Sequence, residues 1–141
     1  MRLSKRSEYG LRALLDLASR PAGETVPLKD LAGSNNQPVK YLEQIFSQLR
    51  NAGIVHSQPG AHGGYLLARP AEVITLGEVI RCLDGTIAPV NCLSQIAYER
   101  CSCPDESSCT LRTSMSRVRQ AIVDVVDATT LADSARTPSK G

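Results

Sequence analysis

The residues of this 141-residue chain best suited to chemistry are its cysteines, and they are unevenly placed. Of the five, none precedes Cys82, and four (Cys92, Cys101, Cys103 and Cys109) fall within eighteen residues. Thiolates ligate iron–sulfur clusters and zinc, and paired thiols interconvert with disulfides. An all-cysteine tetrahedron favours zinc, but the Cys-x-x-Cys knuckles of most zinc folds are absent. Three chemistries stand at this point: an iron–sulfur cluster, which is favoured, a thiol–disulfide switch, and a structural zinc site. Thiols crowded on an aperiodic loop would be poorly ordered and prone to oxidation unless something held them. Cys82 stands apart beside an apolar stripe, and burial in the core is its expected role.

Catalytic constellations of other kinds do not emerge. The two histidines, His56 and His62, lie close together, and no Ser/His/Asp, Cys/His or paired-carboxylate arrangement accompanies them. The chain reads as a binding protein and not an enzyme. No run approaches the ~18 apolar residues of a membrane span, and the basic start is not followed by the apolar stretch of a secretory signal. A cytoplasmic location is expected, where such a cysteine cluster points to ligation or redox chemistry.

The elements that must position these residues follow from periodicity. Leu11, Leu14, Leu15 and Ala18 form a helical stripe over about 7–18, preceded by Arg2, Lys5 and Arg6. A short helix over 28–32 ends at Gly33, and a tight turn leads to Pro38 at the first position of a third helix. Val39, Leu42, Ile45, Phe46 and Leu49 give that helix its apolar stripe; Lys40, Tyr41, Glu43, Gln44 and Gln48 lie opposite. Short helix, turn and longer helix with a polar outer face is the helix-turn-helix pattern. Strands over 54–58 and 65–68, joined by a loop carrying His62, Gly63 and Gly64, then read as a wing. The loop lacks the following helix and Lys of a phosphate-binding P-loop.

A fourth helix follows, with Thr75 and Glu78 in capping-box spacing and Leu76, Val79, Ile80 and Leu83 as its stripe. Residues 86–108 show no sustained period. Leu111, Met115, Val118, Ile122 and Val125 then recur at alternating spacings of four and three, a heptad seam on a helix over 110–127 that suits dimerisation. The expected organisation is a winged helix-turn-helix domain over 1–84, a cysteine-rich loop over 85–109, a dimerisation helix over 110–132 and a disordered tail over 133–141. The fold class is mainly α with a small β-hairpin. Net charge is only +2, yet residues 1–69 carry nine Lys/Arg against five Asp/Glu. A basic N-terminal half suits a polyanionic partner, because neutralised phosphates release counterions. A winged-helix module that binds another protein is the alternative class.

Several stretches together resemble the IscR/NsrR/CymR-type winged-helix transcription regulators, some of which carry iron–sulfur clusters. They are Met1-Arg2-Leu3-Ser4 with Tyr9, Val26-Pro27-Leu28, Tyr41-Leu42-Glu43-Gln44-Ile45-Phe46, Gly63-Gly64-Tyr65-Leu66-Leu67 and Leu76-Gly77-Glu78-Val79-Ile80. The resemblance covers about residues 1–130. It implies a homodimer on a double-stranded DNA operator, with the third helix in the major groove and the wing at the minor groove. Val39, Lys40, Tyr41, Glu43 and Gln44 are then the groove-facing candidates, Glu43 toward a cytosine amino group and Gln44 toward adenine. Arg2, Lys5 and Arg6 suit phosphates, and His62 and Gly63 the wing contact. Relatives often carry a basic residue just before the wing glycines, where this chain has Pro59, with His62 and Arg69 as the candidates to substitute.

For the cysteines the resemblance implies three ligands, commonly five residues apart. Cys103 and Cys109 keep that gap, and Cys92 corresponds to the first ligand at a longer distance. Cluster nuclearity, 2Fe–2S or 4Fe–4S, stays open. Some relatives place a His three residues after the last Cys, where this chain has Arg112; others use an acidic residue of the first helix, here Glu8. Glu8 and Cys101 compete for the fourth place. The signal implied is redox state, nitric oxide or iron–sulfur status.

Overall fold

The first helix, α1 (Lys5–Ser19), starts two residues earlier than the stripe suggests because Ser4 caps it. The Ser4 hydroxyl accepts the Ser7 N–H at 3.1 Å, satisfying one of the free amides of the first turn. A computed structural model describes residues 3–89, 91–93, 100 and 104–136. Arg2, Cys101, Cys103 and the last five residues lie outside that set.

Leu11, Leu14 and Leu17 turn α1 into the core. There it meets α2 (Leu28–Ser34) and α3 (Val39–Asn51), the latter through Leu42, Ile45, Phe46 and Leu49. Pro38 stands at the cap of α3 and not at its first helical position. Its fixed φ of −66° with an extended ψ delivers the chain into the helix from outside. Gly53, at φ 76°, then releases the chain into the hairpin.

Strands β1 (Val55–Gln58) and β2 (Gly64–Leu67) pair antiparallel with Val55 opposite Leu67 and Gln58 opposite Gly64. A third, single-residue edge joins them: Val26 and Tyr65 exchange backbone hydrogen bonds, both at 2.9 Å. Gly64 makes this possible, since a Cβ there would strike the Val26 carbonyl. Tyr65 also stacks edge-on against Phe46, ring centroids 5.0 Å apart, which ties the wing to α3.

In α4 (Leu76–Asp84) the Thr75 hydroxyl accepts the Glu78 N–H at 3.1 Å, but the Glu78 carboxylate does not return to the cap. It pairs instead with Arg69 at the base of the wing, so half of the expected capping box forms. Two 3₁₀ turns, Asn91–Leu93 and Glu106–Ser108, lie in the aperiodic segment. The long helix α5 (Thr110–Ala128) has no buried residue along its 19 positions.

The chain end departs from expectation. Residues 133–136, assigned above to a disordered tail, belong to a further helix, α6 (Leu131–Arg136), packed on α1. Leu131 is fully buried and Ala132 nearly so, and the Leu76 N–H donates to the Thr129 carbonyl while the Leu131 N–H donates to that of Ile74. The end of α5 is thereby stitched back to the N-terminal head.

Candidate nucleic-acid interface and cysteine segment

Burying Leu42, Ile45, Phe46 and Leu49 forces the opposite side of α3 outward, and Lys40, Glu43 and Gln44 are exposed there. Val39, 40% exposed, begins the same face. These side chains offer a cation, an acceptor and an amide along one helix surface, which matches base-edge and phosphate recognition. Tyr41 is placed differently. It is half-buried with its ring edge-on to Tyr9, centroids 5.6 Å apart, so it props α3 on α1 more than it faces outward.

The start of α1 joins this surface. Lys5 is exposed with its ammonium 5.8 Å from the Tyr9 ring centroid, and Arg6 donates to the Gln48 side-chain carbonyl at 2.9 Å. Arg6, Glu43, Gln44, Ser47 and Gln48 line one shallow polar depression. The anchor of Arg6 on α3 joins residues 42 apart, beyond the reach of any local period in the sequence. His62 is exposed at the wing tip beside half-buried Gly63, whereas Arg69 is engaged by Glu78.

Asp16 fixes the turn that sets α2 against α3. It accepts from Ser34 Oγ at 2.7 Å, Asn35 Nδ2 at 3.0 Å and Arg20 Nε at 3.3 Å. Burial pushes its carboxyl up, but the donors from Ser34, Arg20 and Asn35 outweigh this and hold it below the usual carboxylate range. Across the head, burial and then the Glu78 charge push the Cys82 thiol up. Half-buried, its Sγ lies 3.7 Å from the Gln48 carbonyl, so it is a packing residue between α3 and α4.

Two members of the cysteine cluster are described. Cys92, on the first 3₁₀ turn, and Cys109 are half-buried free thiols. Cys109 caps α5: its Sγ accepts the Arg112 N–H at 3.4 Å. The turn bearing Cys92 packs against α5 as well, so the helix serves both. The Cys109 sulfur is thereby aimed at the free amides of the α5 N-terminus. Among the described residues no group of three or more His, Cys, Asp or Glu is assembled for a metal; Cys101 and Cys103 lie outside them. Glu8 is on α1 and pairs with Arg12 at 2.8 Å. Also among the described residues, no helix is long and apolar enough to cross a membrane.

The chain is similar to known proteins over nearly its full length. Residues 3–137 match the family described as "Rrf2: Iron-dependent Transcriptional regulator". The chain is 40% identical over 139 residues to "Protein rrf2" of Nitratidesulfovibrio vulgaris, covering 99% of this chain and 90% of that protein. Among solved structures, "CymR (YrzC) the Global Cysteine Regulator" of B. subtilis superposes with a TM-score of 0.82 at 37% identity, covering 99% of both chains. IscR of T. potens does so with a TM-score of 0.75 at 30% identity, covering 99% of this chain and 93% of that one.

Proposed function

The chain belongs to the Rrf2 family of transcriptional regulators, DNA-binding proteins and not enzymes, and from that premise we propose that it is a homodimeric operator-binding regulator controlled through its cysteine segment. The observation that carries the DNA reading is the shared outward surface of α3 and the start of α1. Lys40, Glu43 and Gln44 address base edges, while Lys5, Arg6 and, ahead of them, Arg2 hold phosphates. The wing, with His62 and Gly63 at its tip, lies along the neighbouring backbone. Dimerisation places two such heads on one operator. The exposed seam of α5, with Leu111 60% and Val125 64% exposed, supplies the apolar surface for a second copy.

For the cysteine segment we favour an iron–sulfur cluster held by Cys92, Cys103 and Cys109, with Cys101 or Glu8 completing the set. The capping geometry of Cys109 and the packing of the Cys92 turn on α5 support thiolate ligation. When bound, the cluster supplies a redox- and nitric-oxide-reactive centre. The chain's own part is to connect that state to the DNA heads: the segment runs from the end of α4 to the start of the dimer helix. A location in the cytoplasm is consistent with both roles.

Two measurements test these readings separately. Retardation of genomic promoter fragments at moderate salt tests the DNA face, and binding to none of them overturns it. Anaerobic purification with an absorbance spectrum and iron and sulfide analysis tests the cluster. A brown protein with stoichiometric iron and sulfide supports it, while a colourless protein holding one zinc per chain assigns the thiols to a structural site.

A further inference from the structure

One helical turn of the head is fastened on both sides. Arg81 and Asp127 form a two-pronged ion pair, at 2.6 and 3.0 Å, between α4 and α5. Three residues later Asp84, the last of α4, accepts from the Ser4 hydroxyl, and the Ser4 N–H points at its other oxygen at 3.5 Å. Ser4 is the residue that caps α1. The next two residues of α1 are Lys5 and Arg6, and Arg6 leads to Gln48 on α3. On the other side of Asp84 the chain turns at Gly85 with φ 84°, and buried Ile87 accepts from Arg119 Nε of α5 at 2.9 Å. The segment carrying Cys92 begins there.

We propose that Asp84 is a positioning residue for DNA binding and the joint through which the cysteine segment acts on the head. By holding the Ser4 cap it sets where α1 presents Lys5 and Arg6 to the phosphate backbone. Its carboxylate also faces the positive end of the α1 dipole, which favours the contact. A shift of the turn from Gly85 to Ile87 moves the end of α4, and the contact with Ser4 passes that shift to the first turn of α1. The purely structural alternative is a staple that stabilises the fold and leaves DNA recognition alone. This inference rests on the DNA face and the cysteine control proposed above.

The test uses full-length protein in a Cys82→Ala background and a genomic fragment selected by the unsubstituted chain. Affinity is measured across a range of salt for Asp84→Ala and Asp84→Asn, alongside thermal unfolding. Asn keeps an acceptor for the Ser4 hydroxyl. Asp84→Ala is expected to weaken binding about tenfold and to reduce the salt slope by about two per dimer, one phosphate contact per head; Asp84→Asn restores most of both. Alkylating the segment's thiols with iodoacetamide is expected to shift the affinity of the parent protein, and to shift that of Asp84→Ala several-fold less. Unchanged affinity and slope in Asp84→Ala, with only a lower unfolding temperature, overturns the positioning role. A parent indifferent to alkylation overturns the cysteine control itself, and equal non-zero responses in parent and variant overturn the coupling. A parent that selects no fragment overturns the DNA reading itself, and this proposal with it.

Discussion

The head and the long helix of this chain are built on opposite principles. In the head, Leu14, Leu31, Leu42, Ile45, Phe46, Leu49 and Ile54 are all fully buried against one another. Along α5 no residue is buried, although its apolar seam is as regular as any stripe in the head. The head completes its own core, while α5 leaves its apolar seam uncovered, the surface proposed above for a second copy. The helix is nonetheless not free, because α6 returns to the head and anchors its C-terminal end. Among the described residues, its N-terminal end, which carries Cys109, has no such anchor in the head core.

The largest effects should come from breaking that anchor. Leu131→Ala deletes a fully buried side chain between α6 and α1 and should cost about 2–5 kcal/mol in urea unfolding. Val125→Ala on α5, 64% exposed, should change the unfolding of a dissociated chain by no more than about 0.5 kcal/mol. Comparable losses in both would abolish the contrast between self-sufficient head and partner-dependent helix.

Placing a charge in the seam tests the other half. Val118→Asp should weaken self-association by about 100-fold or more in sedimentation, as expected for a central interface residue. The helical content of the dissociated chain should survive, and its unfolding temperature should lose its dependence on protein concentration. A dimer indifferent to this substitution would mean that α5 is not the interface.

The same contrast governs what was legible in the sequence. Stripes such as Leu42-Ile45-Phe46-Leu49 and the seam of α5 declare themselves because their periods are local. α6 did not, since Leu131-Ala132 is too short to show a period and is buried only by contact with α1. The edge at Val26 was hidden likewise, a single paired residue flanked by Pro27. At the site, the outward Lys40, Glu43 and Gln44 followed from the helix period, whereas Arg6–Gln48 and Ser4–Asp84 join residues 42 and 80 apart. Tyr41 shows where the available signal was misread. It stands four residues before buried Ile45, so the period turns it toward α1 and Tyr9.

A smaller effect concerns the turn between α2 and α3. Asp16→Ala removes the acceptor shared by Ser34, Asn35 and Arg20 and should cost about 1 kcal/mol at neutral pH. The Asp16 carboxyl titrates below its ordinary value in the folded chain, so its contribution is fully present above the unfolded value of about 4. That contribution is lost as pH falls through the folded value. Unfolding curves of the parent and Asp16→Ala should therefore converge as pH drops below about 4. A gap that persists unchanged into acid would trace the stability to packing and not to the ionised carboxylate.

The smallest effect runs the other way and shows that the head's packing is not uniformly favourable. Ser7 is fully buried on α1, yet its hydroxyl has no hydrogen-bond partner among the described residues. Four residues back, where a helical serine finds a carbonyl, Leu3 lies ahead of the cap and outside the helix. Removing an unpaired buried hydroxyl relieves its desolvation cost, so Ser7→Ala should be neutral or stabilising by up to about 1 kcal/mol in urea unfolding. Ser4→Ala, three residues earlier, should instead cost about 1 kcal/mol, because it deletes the hydroxyl that caps the helix. Opposite signs from two serines in one turn would place the stability of the α1 start in its cap. A loss in Ser7→Ala equal to that in Ser4→Ala would instead show that the buried hydroxyl has a partner in solution.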